Sequence, residues 1–435
     1  MMNKIIEHAE PIKVALLGHG VVGSQVARLL TTNSEALAAR VGHNVELVGI
    51  AVRSDSECTS PICTTDAMAL INRGDLDIVV ELIGGIHPAL EFVMTAIQNG
   101  ASVVTANKAL LAAHGKEIFA AAQDAGVDVY YEAAVAGAVP IVRPLRESLV
   151  GDEILSVMGI VNGTTNYIID KMTRENVDFA TALAEAQALG YAEADPTADV
   201  EGHDAQNKVA ILAGLAFHTN VELSDVYCEG ITQITPEDIA AADEVDCVVK
   251  LLAITKLTET GEVEVRVHPA MVPKSHPLAS VAGAYNAIFV EAKEAGRLMF
   301  FGAGAGGAPT ASAVVGDIVT VARNRARGVS GPVRTTYAQH AVAPMGETRT
   351  SYHLRFKVAD RPGILAAAAA ILAAHNVSIQ NVTQSASESR EGGWSAQIGL
   401  LTHEAREADV QECLAELRKT DFISGDIKLM RVEGK

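Results

Sequence analysis

The chain has 435 residues, 49% of them hydrophobic, enough for two or three buried cores rather than one. A formal net charge of −19 argues against nucleic acid and anionic membranes as partners, since both would repel it. Only 4% of residues are aromatic, so the apolar share should fill alanine-rich helices rather than an aromatic binding face. The five cysteines (Cys58, Cys63, Cys228, Cys247, Cys413) form no CxxC pair. Neither a disulfide framework nor a zinc site is expected, and a reducing cytoplasm fits. The opening MMNKIIEHAE carries acids and no apolar core, so no signal peptide is expected. No apolar run nears the ~20 residues of a membrane helix.

From Pro11 to about Val150, the apolar runs KVALLG, VELVGIAV, LDIVVELI, ASVVTAN and VDVYYEA alternate with helical patterns such as PALEFVMTAIQNG. The alternation predicts an α/β domain over residues 1–150, a parallel sheet with helices on both faces. Gly18-x-Gly20-x-x-Gly23 leaves the first run and opens the first helix. The first glycine permits a tight turn, the second a close approach of backbone to pyrophosphate, and the third close strand–helix packing. Gly18, Gly20, Val21, Val22 and Gly23 are therefore the expected dinucleotide contacts, with helix N–H groups turned to the phosphates. Arg53 ends the second run, where an acid would bind the ribose of NAD. An arginine there favours NADP, while Asp55 close behind leaves NAD open.

Residues 151–325 read as an α+β domain, an open sheet backed by helices. A strand and helix in EILSVMGIVNGTTNYIIDKM lead to the helices DFATALAEAQALG and HDAQNKVAILAGLAF. Four strand-like runs follow, VKLLAITKL, EVEVRVHPAMV, NAIFVEAK and GRLMFFGAG, and then a glycine turn feeding a helix at about 307–325 that should complete the first domain. Residues 326–350 have a linker's composition. From residue 351 to 435 the order strand, helix, strand, strand, helix, strand predicts a ferredoxin-like unit.

Lys108 follows the fourth main run, at the carboxyl edge where such sheets bind ligands. Lys208 lies four residues after Asp204, on the same helical face. Upstream, GYAEADPTADVEGHD holds Glu193, Asp195, Asp199, Glu201 and Asp204 without a lysine or arginine between them. Such a run asks for a cationic ligand or a folded-in lysine, and a substrate amino group would meet that need. His19, His203, His218, His268 and His276 share no metal-ligand spacing and read as turn, cap or core residues.

GHGVVG, TANKALLA, YEAAVAGAVPIV, GIVNGTTNYI, LGYAEADPTADVEGHDAQNK and GAGAGGAPTASAVVGDI together resemble the homoserine dehydrogenase family. The tail with VADRPGILAAAAAIL resembles an ACT regulatory domain. The resemblance implies reversible reduction of L-aspartate 4-semialdehyde to L-homoserine with NAD(P)H, on the route to threonine, methionine and isoleucine. It implies Lys208 as proton donor and Lys108 as its partner. Glu193 and Asp204 become substrate-contacting acids, with Gly190, Tyr191 and Asp199 in the same loop. Gly306 and Gly307 fall near the cofactor, and Lys108 also borders it. Glu132, Val135, Gly137 and Val139 match a sodium-binding segment that works mainly through backbone carbonyls. The tail implies threonine as effector, with Asp360 and Gly363 at the helix start and Asn376 and Gln380 as polar partners. A homodimer or homotetramer is expected.

No cysteine lies between Tyr131 and Tyr227, so direct hydride transfer is favoured over thioester chemistry. Two other readings stay open at this level: a different NADP-dependent reductase of an amino-acid aldehyde, and a non-catalytic sensor of nucleotide and amino acid.

Overall fold

A computed structural model describes residues 10–58, 60–332, 338–359, 361–389 and 393–435. The chain folds as two compact units. The first comprises Met1–Gly163, Asp204–Val226 and Ala284–His340, and the second Thr164–His203, Tyr227–Gly283 and Ala341–Lys435.

The first unit is built on a parallel sheet of β1 (Ile12–Leu17), β2 (Val45–Ala51), β3 (Cys63–Thr64), β4 (Ile78–Glu81), β5 (Ser102–Thr105) and β6 (Val129–Tyr130). Their order is β3-β2-β1-β4-β5-β6, so strand order reverses between β1 and β4, where such folds bind dinucleotides. β4 and β5 are buried along their whole length, which is why they read as unbroken apolar runs. β3 escapes a sequence reading because its two residues have no periodicity. Helix Gly307–Arg327, far along the chain, packs Val314, Ile318 and Val321 into the same core as Val26 and Leu30 of helix Val21–Thr32. Strands Ile154–Ile160, Tyr285–Ala292 and Gly296–Ala303 form an antiparallel set with Tyr285–Ala292 in the middle.

In the second unit, Cys247–Leu257 and Val263–Pro273 pair as a long antiparallel hairpin. Helix Pro236–Glu244 was not apparent in the sequence, yet Thr235 and Asp238 form a reciprocal capping box at its start. The C-terminal part follows the predicted order, with strands arranged Ile423–Val432, Arg349–Ala359, Gly393–Thr402, Ile379–Ser389, all antiparallel. Helices Ile364–Ala374 and Glu407–Leu417 supply Ile364, Leu372, Val410 and Leu414 to its core against Tyr352, Leu354 and Phe356. Its last strand runs parallel to the hairpin, with Arg431 beside Ala270 and Val432 beside Met271. No helix among the described residues is long and apolar enough to cross a membrane.

Candidate active site

The glycine motif is required sterically at two of its three positions. Gly18 has φ +98°, and a Cβ there would come within 2.8 Å of the Leu82 carbonyl oxygen. A Cβ on Gly23 would lie 2.1 Å from the Gly18 carbonyl oxygen. Gly20 is different: nothing lies within 4 Å of its Cβ position, so the N-cap of helix Val21–Thr32 is open. Val21 is 75% exposed, and Val22 packs against the first core. Gly306 is the N-cap of helix Gly307–Arg327, and a Cβ on Gly307 would approach the Val21 carbonyl oxygen to 2.8 Å. Two helix N-termini thus meet at the glycine turn, and their free N–H groups suit phosphate oxygens. Arg53 follows β2 with its side chain 89% exposed and only a 4.0 Å approach to Glu57. Its guanidinium is available to a ligand.

Lys108, Asp204 and Lys208 come together. Lys208 Nζ donates to Asp204 Oδ2 and to the Val161 carbonyl oxygen, both at 2.6 Å. Lys108 Nζ sits 3.0 Å from Asp204 Oδ1. Asn162 Nδ2 adds a 2.8 Å bond to Asp204 Oδ2, and Asn286 Nδ2 holds the Val161 carbonyl at 2.9 Å. Burial by itself would raise the Asp204 carboxyl, but the two ammonium groups and Asn162 outweigh it and hold it well below the usual carboxylate range. Asp204 is therefore a fixed anion. It holds Lys208, only 8% exposed, in place, while the Lys108 side chain remains 41% exposed.

The support beneath Lys108 was not read from sequence. Thr105 Oγ1 donates to Glu81 Oε2 at 2.6 Å and accepts from the Asn107 N–H at 3.0 Å. Asn107 caps helix Lys108–Ala125 through the Leu110 N–H and bonds the Gly85 carbonyl at 2.6 Å. This buried brace aims the first helical residue. Asn162 and Asn286 were also missed as site residues: Asn162 stands in the quoted GIVNGTTNYI, but neither residue carries a spacing signal. A separate cavity of about 470 Å³, lined by Leu111, Phe119, Ile211 and Leu215, includes none of the three charged residues.

Glu193, Gly190, Tyr191 and Asp199 belong to the second unit. The five acids do not act as one cluster. Asp195 is spent on the Thr197 N–H and hydroxyl at 3.1 and 2.6 Å, and Asp204 is spent on lysines. The Glu193 carboxylate is exposed and has no partner among the described residues, whereas its backbone carbonyl accepts from Gln187. Gly190 has φ +76°, and the Tyr191 ring lies 4.8 Å from that of Tyr167.

The Glu132 carboxylate accepts the N–H groups of Ile141, Val142 and Arg143 at 2.6, 2.8 and 2.9 Å. It is fully engaged and cannot serve as a side-chain metal ligand. Val135, Gly137 and Val139 are buried around a turn with Ala136 at φ +54° and Gly137 at φ +57°. Their carbonyl oxygens accept no hydrogen bond from any described residue. Buried acceptors without donors fit a cation held by carbonyls. No group of three His, Cys, Asp or Glu among the described residues could hold a metal, and all five cysteines are free.

The effector candidates Gly363, Asn376 and Gln380 are not assembled. Asp360 lies outside the described residues. Gly363, with φ +91°, is the N-cap of helix Ile364–Ala374, while Asn376 follows that helix's C-terminal end. At ~1.5 Å rise per residue, the helix keeps them on the order of 16 Å apart. Gln380 is bonded to Lys435 Nζ at 2.8 Å. Adjacency in the pattern misled here because a whole helix intervenes.

Comparison with known proteins places this geometry. Residues 140–319 match a family described as homoserine dehydrogenase, residues 18–132 its NAD-binding domain, and residues 352–421 the ACT domain. A homoserine dehydrogenase of Mycobacterium tuberculosis H37Rv is 52% identical, covering 98% of each chain. One from Corynebacterium glutamicum is 51% identical over 97% of this chain and 96% of its own. Among solved structures, a homoserine dehydrogenase from Thiobacillus denitrificans is 41% identical with a TM-score of 0.91, covering 98% of both chains. A hyperthermophilic archaeal homoserine dehydrogenase in complex with NADPH is 26% identical with a TM-score of 0.62, over 72% of this chain and 98% of its own.

Proposed function

This chain belongs to the homoserine dehydrogenase family of NAD(P)-dependent oxidoreductases, and from that premise we propose how its own residues carry the reaction. The substrate is L-aspartate 4-semialdehyde, reduced reversibly to L-homoserine, with NADPH preferred over NADH. When bound, the reduced nicotinamide supplies the hydride. Lys208 donates a proton to the aldehyde oxygen as negative charge develops there. Two of its three ammonium hydrogens are committed to Asp204 and the Val161 carbonyl, which leaves one for the substrate. Lys108 stabilises the same oxygen from the more open side. Glu193 receives the substrate ammonium, with Asp199, Gly190 and Tyr191 shaping that loop. Gly18, Gly20, Gly23, Gly306 and Gly307 admit the pyrophosphate, and Arg53 reads the 2′-phosphate.

The carbonyls of Val135, Gly137 and Val139, with that of Glu132, hold a sodium ion that stiffens the turn. The domains divide at about residues 150, 325 and 350. The enzyme works in the cytoplasm as a homodimer or homotetramer, and threonine inhibits it through the ACT domain. The observation that carries the reading is the buried Asp204 carboxylate held between two lysines beside a dinucleotide fold. The test is oxidation of NADPH and NADH by the purified chain with aspartate semialdehyde, with and without threonine. Absence of turnover with either cofactor rejects the reading.

A further inference from the structure

Within the second unit, a cavity of about 370 Å³ lies between the C-terminal domain, helix Pro236–Glu244 and strand Val263–Pro273. Its lining includes four cations, Arg355, Arg418, Lys428 and Arg431, against two acids, Glu229 and Asp238. The whole chain has 53 acidic and 34 basic residues, so this hollow inverts the prevailing charge. Arg355 and Lys428 stand directly opposite on neighbouring antiparallel strands, an arrangement of like charges that a sheet normally avoids.

Local ion pairs do not resolve the excess. One guanidinium nitrogen of Arg355 is taken by Asp238. Arg431 is committed to Glu407 at 2.8 and 2.9 Å and to Glu229 at 3.0 Å. Lys428 and Arg418 have no ion-pair partner among the described residues. His353, 4% exposed, also lines the cavity, and its ring has no hydrogen-bond partner among the described residues. An anion is what this lining lacks.

We propose that this cavity binds a small carboxylate of amino-acid size, its carboxylate held by Lys428, Arg418 and the remaining donors of Arg355. An amino group on the ligand would face Glu229. None of Gly363, Asn376 or Gln380 lines the cavity, so this site differs from the helix-start site. The effect on turnover rests on reading the ACT domain as regulatory; the binding itself does not.

A route toward that effect starts within the same unit and continues along the chain. Arg431 holds Glu229, and Gly230 fits so closely that a Cβ there would lie 2.3 Å from the Val200 carbonyl oxygen. The Ile231 N–H bonds that same carbonyl at 2.8 Å. Val200 ends the short helix that precedes His203–Phe217, the helix carrying Asp204 and Lys208. A ligand ammonium drawing Glu229 away from Arg431 would loosen the segment that this pair clamps.

The test is calorimetric titration of the full chain with L-threonine, L-methionine, L-isoleucine and, as a carboxylate without an ammonium, succinate. At least one should bind once per chain. Lys428→Glu and Arg418→Ala should each weaken it about tenfold or more, the effect of a lost charged contact. Gly363→Ala should leave affinity within about twofold. Both cations are exposed and have no ion-pair partner among the described residues, so their variants should keep the wild-type thermal melt and uninhibited turnover. The proposal is overturned if no probe binds wild type, if neither variant weakens binding, or if Gly363→Ala alone abolishes it. If binding responds as stated while turnover ignores the ligand, the site stands and the regulatory reading falls.

Discussion

Two clusters of buried opposite charge invite comparison, one at the head of helix His203–Phe217 and the other in the C-terminal domain. In the second, Glu407 accepts two bonds from Arg431, one from the Tyr352 hydroxyl at 2.9 Å and one from Gln411 at 2.8 Å. Burial would raise the Glu407 carboxyl, but the Arg431 fork outweighs it and lowers it. Every lone pair there has a donor, and the guanidinium also lies 5.1 Å from the Tyr227 ring centre. In the first, one carboxylate faces two ammonium groups, and one of those remains 41% exposed. A closed network of this kind stabilises or specifies a fold; an open one, with cation to spare, can hold an anion or give up a proton. Opposite charges meet in both, and only the unspent donors separate chemistry from architecture.

The sharpest way to break that contrast is Lys208→Ala. Losing one acid catalyst typically costs ~10²–10⁴-fold in turnover. Steady-state kinetics should show that loss while NADPH affinity, measured by fluorescence titration, stays within a few-fold. Turnover above a tenth of wild type would remove Lys208 from its role. Arg431→Met should do the reverse. It strands the Glu407 carboxylate, and breaking a buried pair costs about 3–5 kcal/mol, readable by urea unfolding. A loss below about 1 kcal/mol would mean that the closed network contributes little.

His353 sharpens the comparison through pH. Burial first, then Arg355, pushes its imidazole down to about 4, so the folded chain keeps it neutral where the unfolded chain protonates it. The folded pKa is depressed, so its contribution is present above the unfolded value near ~6.5 and is lost as pH falls toward 4. His353→Gln should flatten the fall in unfolding free energy between pH 6.5 and 4, by at most about 3 kcal/mol. An unchanged slope would show that this ring is not held neutral. The gentlest test is Arg53→Ala. A charge-assisted bond of ~1.5–3 kcal/mol predicts roughly a ten- to hundredfold rise in KM for NADPH and little for NADH. Equal changes for both cofactors would leave Arg53 a bystander on the surface.

Much of this was legible in the sequence, and for local reasons. Strand and helix periods, the glycine spacing and the Asp204/Lys208 step all depend on residues within a few positions, so pattern alone reports them. The steric need for Gly18 and Gly23, inferred from spacing, has its cause in the Leu82 and Gly18 carbonyls they touch. Pattern failed where an element has no period, as at β3, or where a cap rather than hydrophobicity starts a helix, as at Thr235. It failed again for the effector candidates Gly363 and Asn376, which are near in sequence but stand at opposite ends of one helix.

The sequence by itself determined most of the elements, the dinucleotide turn and which lysines and acids were candidates. Only the tertiary structure decided that Lys108 meets Asp204, that Asn162 and the Glu81–Thr105–Asn107 brace fix them, and that Glu132 is consumed by backbone N–H groups. The reason is physical. A side chain's charge state and free donors are set by burial and by partners brought from far along the chain. Arg431 and Glu229 lie 202 residues apart, and no local pattern carries that distance.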